Sequence, residues 1–145
     1  MGKQIYIAGP LFTEAEREWN YNLKEILLSK LRDQFYFFLP QEHSGENVRL
    51  LNRHAIHIYK RNAYQIKASD ILIAILDGPS VDDGTAWEIG YFRALKPEAP
   101  IIGIRTDFRS SGEVPGEDLN IMILYSIDSR TRTIPELLEE RYWKS

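Results

Sequence analysis

A chain of 145 residues, 43% hydrophobic and 27% charged, has the length and composition of one soluble globular domain over 1–145 with a substantial core. Eighteen Lys and Arg against 21 Asp and Glu leave a net charge of −3, too mild and too mixed for a surface that tracks long nucleic acids, so a small ligand is expected. The lack of cysteine excludes disulfides, a thiol nucleophile and thiolate metal ligands, and no apolar run reaches the length of a signal core or a membrane span, which fits a cytoplasmic protein with no membrane partner.

The first strand is expected in QIYIAG, residues 4–9, stopped by Gly9-Pro10. From Thr13 onward, Trp19, Leu23, Ile26, Leu27 and Leu31 recur at spacings of three and four, which predicts a helix to about residue 32. FYFFLP, residues 35–40, reads as a buried strand ended by Pro40, with the polar loop QEHSGEN after it and a second helix from about Val48 to Ala68. DILIAIL, residues 70–76, has the near-continuous β-branched character of a central parallel strand. A Gly/Pro/Asp loop and a helix follow, in DGPSVDDGTAWEIGYFRAL. APIIGIR, residues 99–105, is expected as the fourth strand and IMILYSI, residues 121–127, as the fifth, with the loop TDFRSSGEVPGED between them. TIPELLEERYW predicts a closing helix with Pro135 near its first turn.

This alternation implies a doubly wound α/β fold, a parallel sheet with helices on both faces. Ligands in such folds sit beyond the carboxyl ends of the strands, which places AGPLF, PQEH and DGPSVDDGTAWE along one edge.

Glu88 admits two readings at that edge. With Thr85 it matches an S/T-x-x-E capping box, a purely structural role. Three features favour chemistry instead. Asp82 and Asp83 bring further carboxylates, although Asp83 also suits a helix N-cap. Gly90 inside the helix suggests close approach of a backbone or ligand. A carboxylate on a helix's first turn is kept ionised by the macrodipole, which suits a nucleophile. Its natural target is a glycosidic carbon, with Asp82 as the second acid.

Other candidates carry less. His54 and His57 have i, i+3 spacing but no further partner at ligand spacing, so no metal site is expected, and the loop DGPSVDDG lacks the order of a calcium loop. Neither G-x-x-x-x-G-K-[ST] nor G-x-G-x-x-G occurs, and no cofactor is expected. Arg105, Arg109 and two serines form either a phosphate cradle or, the preferred reading, a surface loop. Phe12 and Tyr6 are placed to stack a planar base or sugar, while alternation alone makes Tyr6 a core residue.

IYIAGPLF near the start, Gln41 after the second strand, DDGTAWEIGYFRAL and LNIMILYSI together resemble the nucleoside 2-deoxyribosyltransferases, whose core reads D-x-G-x-x-x-E-[LIV]-G-x-x-x-A-L. The likeness covers nearly the whole chain, in order. It implies a flavodoxin-like sheet of five parallel strands and a retaining two-step transfer: Glu88 attacks C1′ of a 2′-deoxynucleoside, the base leaves, and an incoming base takes the sugar. It further implies that Tyr6 orients Glu88, that Gln41 faces the base, and that Asp82 orients the substrate and helps protonate the base. Gly9, Phe12, Asn62, Gly84 and Met122 fall at substrate positions on the same resemblance. Family members are oligomers, so a homo-oligomer (dimer or higher) is implied, with Asn120 lent to the neighbouring site. Asn62 departs from the Asp that many bacterial members carry there, and an amide is no general acid at neutral pH. The competing hydrolase reading resembles the deoxynucleoside 5′-monophosphate N-glycosidases, which tend to have Ser where Asn120 stands.

Overall fold

The computed structural model describes residues 2–31, 33–43 and 55–144. Strands β1 (Lys3–Ala8), β2 (Phe35–Phe38), β3 (Ile71–Ile75), β4 (Ile101–Ile104) and β5 (Ser129–Thr131) form one sheet in the order β2-β1-β3-β4-β5. Every neighbouring pair is parallel, with Tyr6 opposite Phe38 on one side and Leu72 on the other. That order, with its reversal between β1 and β3, is flavodoxin-like.

Helices α1 (Glu14–Lys30), α2 (Ala55–Ala68), α3 (Asp83–Leu95), α4 (Ile121–Leu124) and α5 (Ile134–Leu138) flank the sheet. The two-residue alternation of the strands divides the core into two layers. Ile5, Ile7, Ile73, Ile75, Ile102 and Ile104 pack with Leu23 and Leu27 of α1 and Leu137 of α5. Tyr6, Ala8, Leu72 and Ala74 face the other way, against Ile66 of α2, Ile89 and Phe92 of α3, and Ile123 of α4. All five residues of β3 are buried, as expected of a central strand.

Several boundaries differ from the sequence expectations. The FYFF segment is an edge strand rather than a buried one. Among the described residues its outer side has no partner strand, and Tyr36 is exposed while Phe35 and Phe38 are buried. The segment 121–127 is not the fifth strand. Asn120 caps a short helix there, its side chain accepting from the Met122 N–H at 2.9 Å and its carbonyl from Leu124 N–H at 2.9 Å. Ile123 of that helix is buried in the core and Leu124 packs against it, while Met122 and Tyr125 lie exposed. The true β5 is the short polar run Ser129–Thr131, too brief to show a strand pattern. The closing segment divides into α5 and a separate 3₁₀ turn, Arg141–Trp143, whose indole N–H donates to the Leu137 carbonyl at 2.6 Å. The start expected for the second helix, 48–54, lies outside the described residues, as does His54.

Candidate active site

The carboxyl ends of β1 and β3 and the start of α3 meet on the α2/α3 side of the sheet. Tyr6 is fully buried in the core layer, so the alternation argument holds for its ring. Its hydroxyl nevertheless emerges at the edge and donates a hydrogen bond to Glu88 Oε2. Core residue and site residue are thus two ends of one side chain.

Glu88 is not part of a capping box. The N-cap of α3 is Asp82, not Asp83, and Asp82 Oδ2 accepts both the Thr85 N–H and the Thr85 hydroxyl at 3.0 Å. Glu88 therefore lies on the second turn, past the unpaired N–H groups, and the expectation of a carboxylate kept ionised by the helix end fails. Its carboxyl is instead pushed up to about 7, chiefly by burial. The Tyr6 hydrogen bond pulls the other way, and the Asp82 charge adds to the rise. The Tyr6 hydroxyl is pushed well above the usual phenol range by burial first and the Glu88 charge second, which makes it a permanent donor. A half-buried carboxyl near neutrality is ionised often enough to attack and shielded enough to be reactive when it does.

Of the other expected residues, only some lie with this pair. Asp82 joins Tyr6 and Glu88, with Oδ1 accepting no hydrogen bond among the described residues, and Gly84 lies exposed beside it. Asp83 is exposed at the helix start. A Cβ on Gly90 would meet nothing within 4 Å, so the close approach expected there is absent among the described residues. Gly9 is required by packing, since a Cβ would lie 2.8 Å from the Ile75 side chain. Phe12 is exposed in the loop after β1, which Arg17 holds through the Leu11 and Phe12 carbonyls. Gln41 spends its amide on α1, donating to the Arg17 carbonyl at 2.9 Å and accepting from Asn20 at 3.0 Å. Asn62, half-buried on α2, accepts from Arg61 through Oδ1. Asn120 and Met122 are exposed on α4 and make no hydrogen bond to Tyr6, Asp82 or Glu88 among the described residues.

Sequence reasoning missed three supports. Asp77 accepts from the Thr106 N–H at 2.6 Å, the Asp107 N–H at 2.9 Å and the Thr106 hydroxyl at 2.5 Å, which locks the loop after β3 to the loop after β4. An Asp directly after an apolar strand was the available signal. Phe38 stacks on Tyr6 at 5.4 Å and on His43 at 4.7 Å, an aromatic shelf beside the Tyr6 hydroxyl. Arg61 sits 5.9 Å over Phe38 and donates to the His43 carbonyl at 2.5 Å, with nothing in its sequence setting to mark it.

The arginine-rich loop is not an open cradle. Arg105 is fully buried, donating to the carbonyls of Leu76, Gly78 and Arg109, with Nε 3.3 Å from Asp118. Arg109 pairs with Asp107 at 2.5 Å and holds that carboxyl well below its usual range. Two clefts, of about 510 and 350 Å³, lie away from Glu88, one beside α5 and one along residues 106–118 and Arg132. Among the described residues no helix is long and apolar enough to cross a membrane.

A flavodoxin-like sheet with a tyrosine–carboxylate pair at its switch point defines an α/β protein that holds a shielded acid at the carboxyl ends of its strands. More narrowly, the chain belongs to the nucleoside 2-deoxyribosyltransferase family, whose model matches residues 5–122. It is 34% identical over 133 residues to the uncharacterized protein UU063 of Ureaplasma parvum, 83% of each chain being covered. Among solved structures it resembles a conserved protein from Enterococcus faecalis, with 29% identity, all of both chains covered and a TM-score of 0.83. It also resembles a 2-deoxyribosyltransferase from Bacillus psychrosaccharolyticus, with 26% identity over 94% of this chain and 91% of that one and a TM-score of 0.74. Family and fold point to an enzyme of the nucleoside deoxyribosyltransferase type.

Proposed function

We propose that this protein transfers the 2-deoxyribosyl group between nucleobases by a retaining double displacement. The Glu88 carboxylate attacks C1′ of a 2′-deoxynucleoside, the C–N bond breaks, and its electron pair leaves with the base. A second base then attacks C1′ from the vacated face and returns the carboxylate. The observation that carries this reading is the Tyr6–Glu88 hydrogen bond at the carboxyl edge of the sheet, with Glu88 near 7. Tyr6 aims the attacking oxygen, and Asp82, held by Thr85 through one oxygen, offers the other to the sugar.

Asn120 and Met122 serve this reading as residues lent to a second copy, since both are exposed and neither bonds to the Glu88 cluster of its own chain. Transfer is favoured over hydrolysis of 5′-monophosphates because the arginines of the candidate phosphate loop are already committed, Arg105 to carbonyls and Asp118, and Arg109 to Asp107.

The test incubates the protein with 2′-deoxyinosine and free adenine, cytosine or uracil, and separately with deoxynucleoside 5′-monophosphates, and separates the products by chromatography. New deoxynucleosides support transfer, and Glu88→Ala abolishes them by several orders of magnitude. Free base from the monophosphates alone refutes transfer in favour of the hydrolase. Ligand binding without turnover, unchanged in Glu88→Ala, refutes both.

A further inference from the structure

Asn62 has a defined hydrogen-bond polarity. Asn62 shares its helix face with Ile66, which is fully buried in the layer that contains Tyr6. Because α2 runs antiparallel to the strand that follows it, the turn before Ile66 lies nearer the carboxyl edge of the sheet. Arg61, the preceding residue, reaches the same region. It lies over Phe38, bonds the His43 carbonyl, and its charge acts on the Tyr6 hydroxyl.

Arg61 donates to Asn62 Oδ1 twice, from Nε at 3.3 Å and from Nη2 at 3.1 Å. A guanidinium has donors only, so the amide oxygen must be the atom facing it. The other end of the amide, Nδ2, donates to nothing among the described residues. Asn62 therefore offers the site a hydrogen-bond donor that neither gives nor takes a proton at neutral pH.

One planar surface suited to a heterocycle lies on this donor's side, the exposed His43 ring stacked on the buried Phe38. On the opposite side, toward β4, the charged groups satisfy one another, with Arg105, Arg130 and Arg132 all paired to Asp118.

We propose that Arg61 locks Asn62 as a pure donor, and that the enzyme thereby works on oxo-bases, uracil- and hypoxanthine-like, which leave and return as anions. The proposal rests on the deoxyribosyltransferase reading above. In the first half-reaction the bond from C1′ to the base nitrogen breaks as the bond to Glu88 forms, and the electron pair stays on the base. Its negative charge spreads to an oxygen or ring nitrogen that accepts from Asn62 Nδ2–H, and water later supplies the proton. In the second half-reaction an anionic base attacks and no protein group need remove a proton. Cytosine and adenine depart well only after ring protonation, which an amide cannot provide. Losing general-acid help costs such bases roughly 10²–10⁴-fold.

The experiment measures base release in single turnover from 2′-deoxyuridine, 5-fluoro-2′-deoxyuridine, 2′-deoxycytidine, 2′-deoxyinosine and 2′-deoxyadenosine, with the wild type and Asn62→Asp. The wild type is expected to release uracil at least ~100-fold faster than cytosine, with 5-fluorouracil faster still and hypoxanthine ahead of adenine. Asn62→Asp, which preserves the side chain's size and is held ionised by Arg61, removes the donor and is expected to narrow the uracil-to-cytosine ratio at least ~10-fold by slowing uracil. The proposal is overturned if the wild type releases cytosine as fast as uracil, or if Asn62→Asp leaves the ratio unchanged. The wild-type ratio decides even if the variant fails to fold. Release in the wrong order overturns this assignment alone, whereas no release from any of the five nucleosides overturns the transferase reading and this assignment with it.

Discussion

Replacing Tyr6 by Phe removes one oxygen from a fully buried ring and leaves the packing of the core layer in place. What it takes away is the hydrogen bond that lowers the Glu88 carboxyl against burial and the Asp82 charge. A hydrogen bond to a charged group contributes about 1.5–3 kcal/mol, and a tenfold change in protonation corresponds to about 1.4 kcal/mol. Glu88 should therefore titrate about one to two pH units above its present value of about 7. At pH 7 the ionised fraction falls from about half to roughly 1–10%, and the rate of base exchange falls about five- to fifty-fold. Raising the pH to about 9 should restore much of the loss, because only the ionisation has changed. The assay is kcat/KM against pH for both proteins. A loss equal at every pH, or an acidic limb that moves downward, would refute the role given to the Tyr6 hydroxyl.

Three further outcomes follow from the same structure. Glu88 holds its proton more tightly folded than unfolded, so its contribution to stability declines as pH climbs from 4.5 through about 7. Glu88→Gln should thus raise stability at pH 8 by ~2 kcal/mol after allowance for partial exposure, and change it little at pH 4.5, as read by thermal unfolding. Asp82→Asn keeps an N-cap acceptor but removes a charge that raises Glu88, so the acidic limb of the rate profile should move below 7 while stability changes by less than ~1 kcal/mol. Asp118→Ala strands the buried Arg105 and should cost about 3–5 kcal/mol in denaturant unfolding, with the Glu88 limb unmoved.

The sheet was legible where strands were long and apolar. DILIAIL and QIYIAG announce β3 and β1, and the rule that ligands gather at strand carboxyl ends brought Asp82 and Glu88 to one edge, whereas the Tyr6 hydroxyl was placed beside Glu88 only by the family resemblance. The fifth strand was missed because IMILYSI carries strong β propensity while Asn120 caps a short helix whose inward residues are Ile123 and Leu124. Propensity lost there to a cap and to packing. The Thr85-x-x-Glu88 spacing left a structural reading open, and Glu88 was expected on the first turn, for a related reason. A capping box depends on where the helix begins, and Asp82 starts α3 one turn earlier. Nothing in a linear pattern shows that Gln41 turns back to α1 or that Arg61 fixes the amide of Asn62, because both depend on the packing of distant elements.

The most direct measurement uses a 2′-fluoro-2′-deoxyarabinonucleoside, whose electron-withdrawing fluorine destabilises the oxocarbenium-like transition state and so slows breakdown of a glycosyl ester. Intact mass and peptide mapping of the treated protein should show one added fluorodeoxyarabinosyl group on the peptide that contains Glu88, discharged by a free oxo-base and missing in Glu88→Ala. Base release with no adduct, or an adduct on another side chain, would contradict attack by this carboxylate.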